Sequence, residues 1–372
     1  MKYVVTFKIP VSNNEKRYYA LSAVDKADYI KNCIIRCGEK VEIVSASEST
    51  INENYKGRVD SIDENCKVIT SPSPSGGTKI KDRWASFCTQ VWLLFYLLKY
   101  CKNGERILVY HKIINVPVLL LALFFKNLKI ILEVEEIYTQ LYTSNWRKKL
   151  EWKIFEKAES YIFASMQLQE QINTKGKPYV IANGKYEVAP IVSKPVNDGR
   201  THLVYAGLIA DGKVAFKSAG MAEYLSNKYC IHVIGYGKDE DITKLKKYIS
   251  ALSLPNQAEV RYEGLKRGVE YDSFLQSCHF GLCPISSDVG YQNACFPSKV
   301  TSYLSNGLRV VVTENNVIRS SAYGDVVLFS KDDSALEMAK TVEGAAKEET
   351  VDIRARIQVL DTEFIHLLKK II

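Results

Sequence analysis

The sequence predicts an α/β protein built of two doubly wound parallel-sheet domains, and three observations carry that prediction. Short apolar strands alternate with helix-length segments from the first residues, at a spacing of roughly thirty residues that suits β-α-β units. The alternation lapses over residues 186–200, which hold Pro190, Pro195, an Asn-Asp-Gly sequence and few hydrophobic residues, and then restarts. The length of 372 residues suffices for two domains of ordinary size. The expected boundaries are therefore a first domain over 1–185, a linker over 186–200, a second domain over 201–355 and a terminal helix over 356–372. Ile357, Leu360, Phe364 and Leu367 fall on one face of that helix.

Tyr3 to Phe7 reads as the first strand, and the recurrence of charge at Lys8 sets it apart from a signal peptide. The loop Pro10 to Arg17 lacks the glycine-rich fingerprint of a dinucleotide site. A helix follows with Ala20, Val24, Ala27, Tyr29 and Ile30 among its apolar positions. Gly38 ends the next short helix, and Val41 to Val44 is the second strand. Residues 48–66 are polar and read as an excursion. Ser71 to Gly77 is a loop by composition, either a mobile loop or a plain connector, before a helix with body Trp84 to Leu98.

Ile107 to Tyr110 is a further strand, and Val116 to Phe125 reads as a buried helix, about half the length of a membrane span. Lys129 to Leu132 is the strand after it, leading into Glu133, Glu135 and Glu136. Acidic residues at the carboxyl end of a central parallel strand lie where such folds place ligands, and a carboxylate there can orient or deprotonate a hydroxyl. Capping the next helix, or pairing with a lysine, is the alternative. Trp146 to Lys157 is amphipathic, with Arg147, Lys148, Lys149, Lys153 and Lys157 around an apolar side. It suits an anionic membrane surface or a core-facing helix with a solvated basic face. Tyr161 to Ala164 and Tyr179 to Ile181 complete the first series of strands.

The formal charge of +8 is one-sided: residues 1–190 carry 28 Lys and Arg against 20 Asp and Glu, and the remainder is balanced. A basic half implies an acidic partner such as a phosphate-bearing substrate or an anionic lipid, unless the lysines are simply solvated. The aromatic-basic interleaving of a single-strand nucleic-acid groove is missing, so nucleic acid is not expected. The nine cysteines are odd in number and dispersed, and read as reduced thiols of a cytoplasmic protein. Cys33/Cys37 and Cys278/Cys283 are only loosely spaced like ligand pairs, and no metal site is expected there.

In the second half His202 to Gly207 is a strand, Tyr229 to Gly237 a strand entering a glycine loop, and Val260 to Gly264 a short strand. Tyr271 to Cys278 is a helix and His279 to Pro284 a strand. A loop from Ile285 to Phe296 then leads into Pro297-Ser298-Lys299-Val300-Thr301-Ser302-Tyr303-Leu304-Ser305-Asn306-Gly307, a helix with a glycine stop, and the apolar strand Val310 to Val312. A helix start offers free N–H groups and a positive dipole end, and Lys299 adds a full charge: together they suit a phosphate site, with an ordinary αβ unit of a doubly wound domain as the alternative.

Pro297, Lys299, Tyr303, Leu304, Gly307, Val310 and Val311 resemble the donor signature of GT-B glycosyltransferases, in particular the family-four-like enzymes of bacterial surface polysaccharide synthesis. The resemblance implies the GT-B fold, two Rossmann-like domains facing a central cleft, with the terminal helix packing back on the first domain. It implies a hexosyl transfer from a nucleotide diphosphate sugar, most simply a UDP-sugar, to a glycan or lipid-linked glycan. No cofactor is required, and the reaction is expected to be metal-independent and retaining.

By resemblance Gly207, Lys213, Gly235, Gly237, Tyr262, Asp288, Asn293, Phe296, Pro297, Ser298, Lys299 and Ser302 bind the donor. Glu135, Glu136, Lys213 and Lys299 are the catalytic candidates. Glu133, Ser75, Gly76 and Gly77 are the acceptor candidates. The chain departs from the family at Leu208, where an arginine is usual, and at Ala294 and Ser302, where many members carry glutamates. Those departures suggest a non-catalytic sugar-nucleotide-binding or glycan-binding subunit as an alternative; a GT-B-shaped nucleotide-sugar epimerase is another, though the second half offers few catalytic acids beyond Asp288. The protein is expected in the cytoplasm, with the inner face of the cell membrane and a homo-oligomer both open.

Overall fold

The computed structural model describes residues 1–11, 14–140, 145–172, 174–252, 254–285, 296–347 and 351–372. They form two compact units, Met1–Lys185 with Thr362–Ile372, and Tyr186–Asp361. Among the described residues no helix is long and apolar enough to cross a membrane.

The first unit carries β1 (Lys2–Val5), α1 (Leu21–Arg36), β2 (Val41–Ser45), β3 (Arg58–Ser61), β4 (Cys66–Thr70), α2 (Lys79–Tyr100), β5 (Arg106–Tyr110), α3 (Val116–Phe125), β6 (Lys129–Val134), α4 (Asn145–Lys157), β7 (Ser160–Phe163), α5 (Met166–Gln171) and β8 (Tyr179–Ile181). The strands form one sheet in the order β3-β4-β2-β1-β5-β6-β7-β8. All neighbours are parallel except β3 and β4. Central strands are apolar without alternation because helices cover both faces of such a sheet. Ile107, Leu108 and Val109 are each fully buried.

Two expectations change here. The polar stretch 48–66 holds an edge strand, β3, and the start of β4, which the high polarity of Arg58-Val59-Asp60-Ser61 concealed. The α3 helix is not buried. Only Val116, Leu119 and Ala122 face the core, and Phe124 is 81% exposed.

The second unit carries β9 (Thr201–Ile209), α6 (Val214–Gly220), β10 (Tyr229–Gly237), α7 (Asp239–Ala251), β11 (Glu259–Tyr262), α8 (Gly268–Gln276), β12 (Phe280–Cys283), α9 (Ser298–Ser305), β13 (Arg309–Thr313), α10 (Asn316–Arg319), β14 (Val327–Ser330) and α11 (Ala335–Ala345). Its sheet is wholly parallel, in the order β11-β10-β9-β12-β13-β14. The stretch 186–200, read from sequence as a linker, is fixed along this unit. The Gln276 side chain accepts from the N–H groups of Val192 and Ser193 and donates to the Pro190 carbonyl. The last helix, α12 (Ile353–Leu368), begins in this unit. Its final turns belong with the first unit, where Phe364 stacks on Tyr29 at 5.8 Å and Arg106 donates to the Ile372 carbonyl.

Candidate functional site

In the second sheet β9 lies between β10 and β12, so chain connections leave it in opposite directions. The carboxyl ends of strands at such a point form the ligand crevice of an open parallel sheet. The backbones there are drawn close. Gly235 pairs with Gly207, and a Cβ on Gly235 would lie 1.8 Å from the Gly207 carbonyl oxygen. A Cβ on Gly237 would lie 2.3 Å from the Ile209 carbonyl oxygen. Gly235 also donates to the Gly264 carbonyl at 2.9 Å, and the Tyr262 hydroxyl reaches the Gly235 carbonyl at 3.4 Å.

Lys299, in the first turn of α9, lies across this end of β9. A Cβ on Gly207 would meet its Cε at 2.6 Å and its Nζ at 2.7 Å, so the absent side chain is the space the lysine occupies. The ammonium donates to the Tyr205 hydroxyl at 3.2 Å and sits 4.7 Å from the centre of that ring. Among the described residues it has no carboxylate partner. A half-buried cation at the free N–H end of a helix, with no carboxylate partner among the described residues, is chemically suited to an anion.

Tyr303 sets the position of α9. Its ring packs where a Cβ on Gly281 would stand, and its hydroxyl accepts from the Ala206 N–H at 2.7 Å and donates to the Leu282 carbonyl at 3.3 Å. One side chain thereby joins α9 to the ends of β9 and β12. Ser302 is tied to the Tyr271 hydroxyl at 3.1 Å, and the Phe296 ring packs 5.8 Å from Tyr323. Pro297 supplies the cap position before Ser298, with extended backbone. Lys213 stands exposed on a different element, at the start of α6, and Leu208 is 55% exposed where an arginine was expected. Asp288 and Asn293 lie outside the described residues. Sequence reading missed Tyr205, which lies two residues before Gly207 and so on the same face of β9.

In the first unit the three glutamates after β6 have separate environments. Glu133 is fully buried and accepts a hydrogen bond from the Tyr3 hydroxyl. Burial, then the charge of Glu135, pushes its carboxyl up to about 8. Glu135 is partly exposed and lies 3.6 Å from Lys26, which also donates to the Ala182 and Gly184 carbonyls. Glu136 is partly exposed and hydrogen bonds to Tyr138, a tyrosine whose ionisation is pushed up by burial and by Glu136.

The loop after these glutamates is held by Glu151 of α4. It accepts from the N–H groups of Tyr138 and Thr139 at 2.9 Å and pairs with His111 at 2.9 Å, all buried. Burial would raise its carboxyl, but the bonds from His111 and Thr139 hold it below the usual range. The Ser75, Gly76 and Gly77 loop is fastened to its flanking segments, as the connector reading has it. Ser75 N–H donates to Asn54, Gly76 N–H to the Ile51 carbonyl and Gly77 N–H to Asp82, and a Cβ on Gly76 would lie 2.0 Å from the Ser49 carbonyl oxygen.

Among the described residues His202, Cys230 and His232 bring potential metal-ligand atoms together at the amino ends of β9 and β10. His202 Nδ1 and His232 Nε2 bond to each other at 2.9 Å, and their outer nitrogens face Asp198 and Glu263 at 3.0 Å. Every ring nitrogen of the pair has a partner, and the cluster reads as a hydrogen-bonded chain joining strand starts.

No family model matches the chain, and no curated protein matches it in sequence. Solved structures do match in fold. A sucrose-phosphate synthase from Thermosynechococcus elongatus superposes with a TM-score of 0.69 at 12% identity, over 100% of this chain and 97% of that one. An α,α-trehalose-phosphate synthase (UDP-forming) from Burkholderia xenovorans, in complex with glucose-6-phosphate, gives 0.66 at 10% identity, over 99% and 97%. HepE from Anabaena, in complex with UDP and glucose, gives 0.59 at 11% identity, over 100% and 97%. The two parallel sheets, of eight and six strands, are the GT-B fold.

Proposed function

We propose that the protein transfers a hexosyl group from a UDP-sugar to a glycan or lipid-linked glycan in surface polysaccharide synthesis. The observation that carries this reading is Lys299, a cation without a carboxylate partner among the described residues, held over Gly207 at the start of α9. When the bond from the anomeric carbon to the diphosphate breaks, negative charge gathers on the departing phosphate. A fixed ammonium and fixed N–H groups stabilise that charge more than the ground state and so lower the barrier. The acceptor oxygen forms the new bond to the anomeric carbon as its O–H bond breaks, and Glu135 or Glu136 takes the proton. The reading includes retention of configuration and no requirement for a divalent ion.

Its support is the agreement of three things: the donor-type signature around Lys299, the GT-B fold, and structural neighbours described as UDP-forming or bound to UDP. The test is thermal unfolding with UDP, GDP, ADP and CMP. A nucleotide at about one hundred times its Kd stabilises the folded state by about 2.7 kcal/mol. A selective shift with UDP is the expected result. No shift with any nucleotide overturns the donor assignment.

A further inference from the structure

We infer that the outer face of α2, α3 and α4 in the first unit docks on an anionic lipid bilayer. The inference is independent of the donor site.

The ten residues of α3, Val-Pro-Val-Leu-Leu-Leu-Ala-Leu-Phe-Phe, include no polar side chain, yet the helix lies on the surface. Leu121, Phe124 and Phe125 are 43%, 81% and 61% exposed. A surface helix ordinarily turns polar residues outward. The adjoining helix repeats the anomaly. Ala85, Leu93, Tyr96 and Leu97 of α2 face the core. Ile80, Trp84, Phe87 and Phe95, at helical spacing on another side, are all more than half exposed. This helix is apolar on two sides, and only one of them has a protein partner. Because α2 packs on α3 and α3 on α4, these side chains belong to one helical layer. Exposed apolar side chains concentrated in one layer mark an interaction site.

Charge identifies the occupant. The third helix of the layer, α4, exposes Arg147, Lys148, Lys149, Lys153 and Lys157 beside an exposed Trp146, and its exposed acidic side chain is Glu156. Its other carboxylate, Glu151, is buried against His111. Apolar and aromatic groups bordered by cations are complementary to the acyl boundary and anionic headgroups of a bilayer. A second copy of the same face would bring basic helix toward basic helix, and like charges oppose such an interface. With no membrane-crossing helix among the described residues, the layer lies on the bilayer rather than through it.

The experiment is flotation of the purified chain with vesicles of phosphatidylcholine alone and of phosphatidylcholine with about one third phosphatidylglycerol. The wild type floats with the anionic vesicles and is released by high salt. Phe124→Asp with Phe125→Asp lowers partitioning at least about tenfold, and Lys148→Glu with Lys149→Glu lowers it only on anionic vesicles. All four positions are exposed, so the thermal midpoint stays unchanged and reports that the variants fold. A wild type that floats with neither vesicle overturns the inference. So does a Phe124/Phe125 variant that floats normally, or a lipid-free dimer that the same variant dissociates.

Discussion

Replacing Lys299 by alanine tests the donor site most directly. The ammonium is half-buried, rests on the Tyr205 ring, and has no carboxylate partner among the described residues, so its charge is not cancelled before a ligand arrives. A unit charge about 4 Å from a phosphate oxygen interacts by about 4 kcal/mol at an effective dielectric near 20. Part of that is already present with bound donor, so the loss in the transition state is about 2–4 kcal/mol, or roughly thirty- to a thousandfold in kcat/KM. The geometry supplies a second perturbation that leaves the lysine in the sequence. Gly207→Ala places a methyl 2.6 Å from the Lys299 Cε, which forces the chain off its seat over β9. Both variants should slow release of UDP from UDP-sugars and weaken UDP in thermal unfolding, with Gly207→Ala the milder. The assay is steady-state UDP release, with nucleotide-induced midpoint shifts as the binding control. If Lys299→Ala turns over donor and binds UDP as the wild type does, the assignment of Lys299 is wrong.

Two further predictions concern the first unit. Glu133 is raised to about 8 in the folded protein from 4.5, so the folded state holds a proton that the unfolded chain has lost. The stability this contributes is complete below about pH 4.5 and disappears as pH rises toward 8, at about 1.4 kcal/mol per pH unit. Urea unfolding at pH 5 and pH 7 should therefore show the wild type losing about 2–3 kcal/mol more than Glu133→Gln between them; parallel losses in the two proteins would contradict the buried, protonated carboxyl. Glu151→Gln removes a charge from a fully buried pair and weakens the hold on Tyr138 and Thr139. It should cost about 3 kcal/mol in urea unfolding, and a change below about 0.5 kcal/mol would show that the pair does not fix this loop.

The sequence declared its fold where secondary structure and burial agree. Ile107-Leu108-Val109 and Val310-Val311-Val312 read as strands of a covered sheet and are fully buried ones. The helix Ser298–Ser305 was legible for the same reason: a proline, a lysine two residues after it, a tyrosine on the inner face and a glycine stop are local features of one helix. Its partners were not, because they are contacts across the sheet. Tyr205 reaches Lys299 from β9, and Gly281 admits Tyr303 from β12. No spacing in the chain announces either contact. Similarly nothing in the basic helix 146–157 singles out Glu151, which folding buries beneath the β6 loop against His111.

The misreading of α3 has a physical cause that bears on function. Composition reports how apolar a segment is, and a covered core and a lipid surface reward the same residues, so ten apolar residues in a row suit either. The distinction rests on which neighbours the tertiary fold supplies, and here it fully buries Val116, Leu119 and Ala122 and leaves Leu121, Phe124 and Phe125 exposed. The same holds for α2, whose two apolar sides blur any amphipathic pattern in the sequence, because the polar face that normally reveals the inner one is missing. A helix that is apolar on two sides thus gives a weak amphipathic signal, and the side without a protein partner is the one proposed to meet an anionic bilayer.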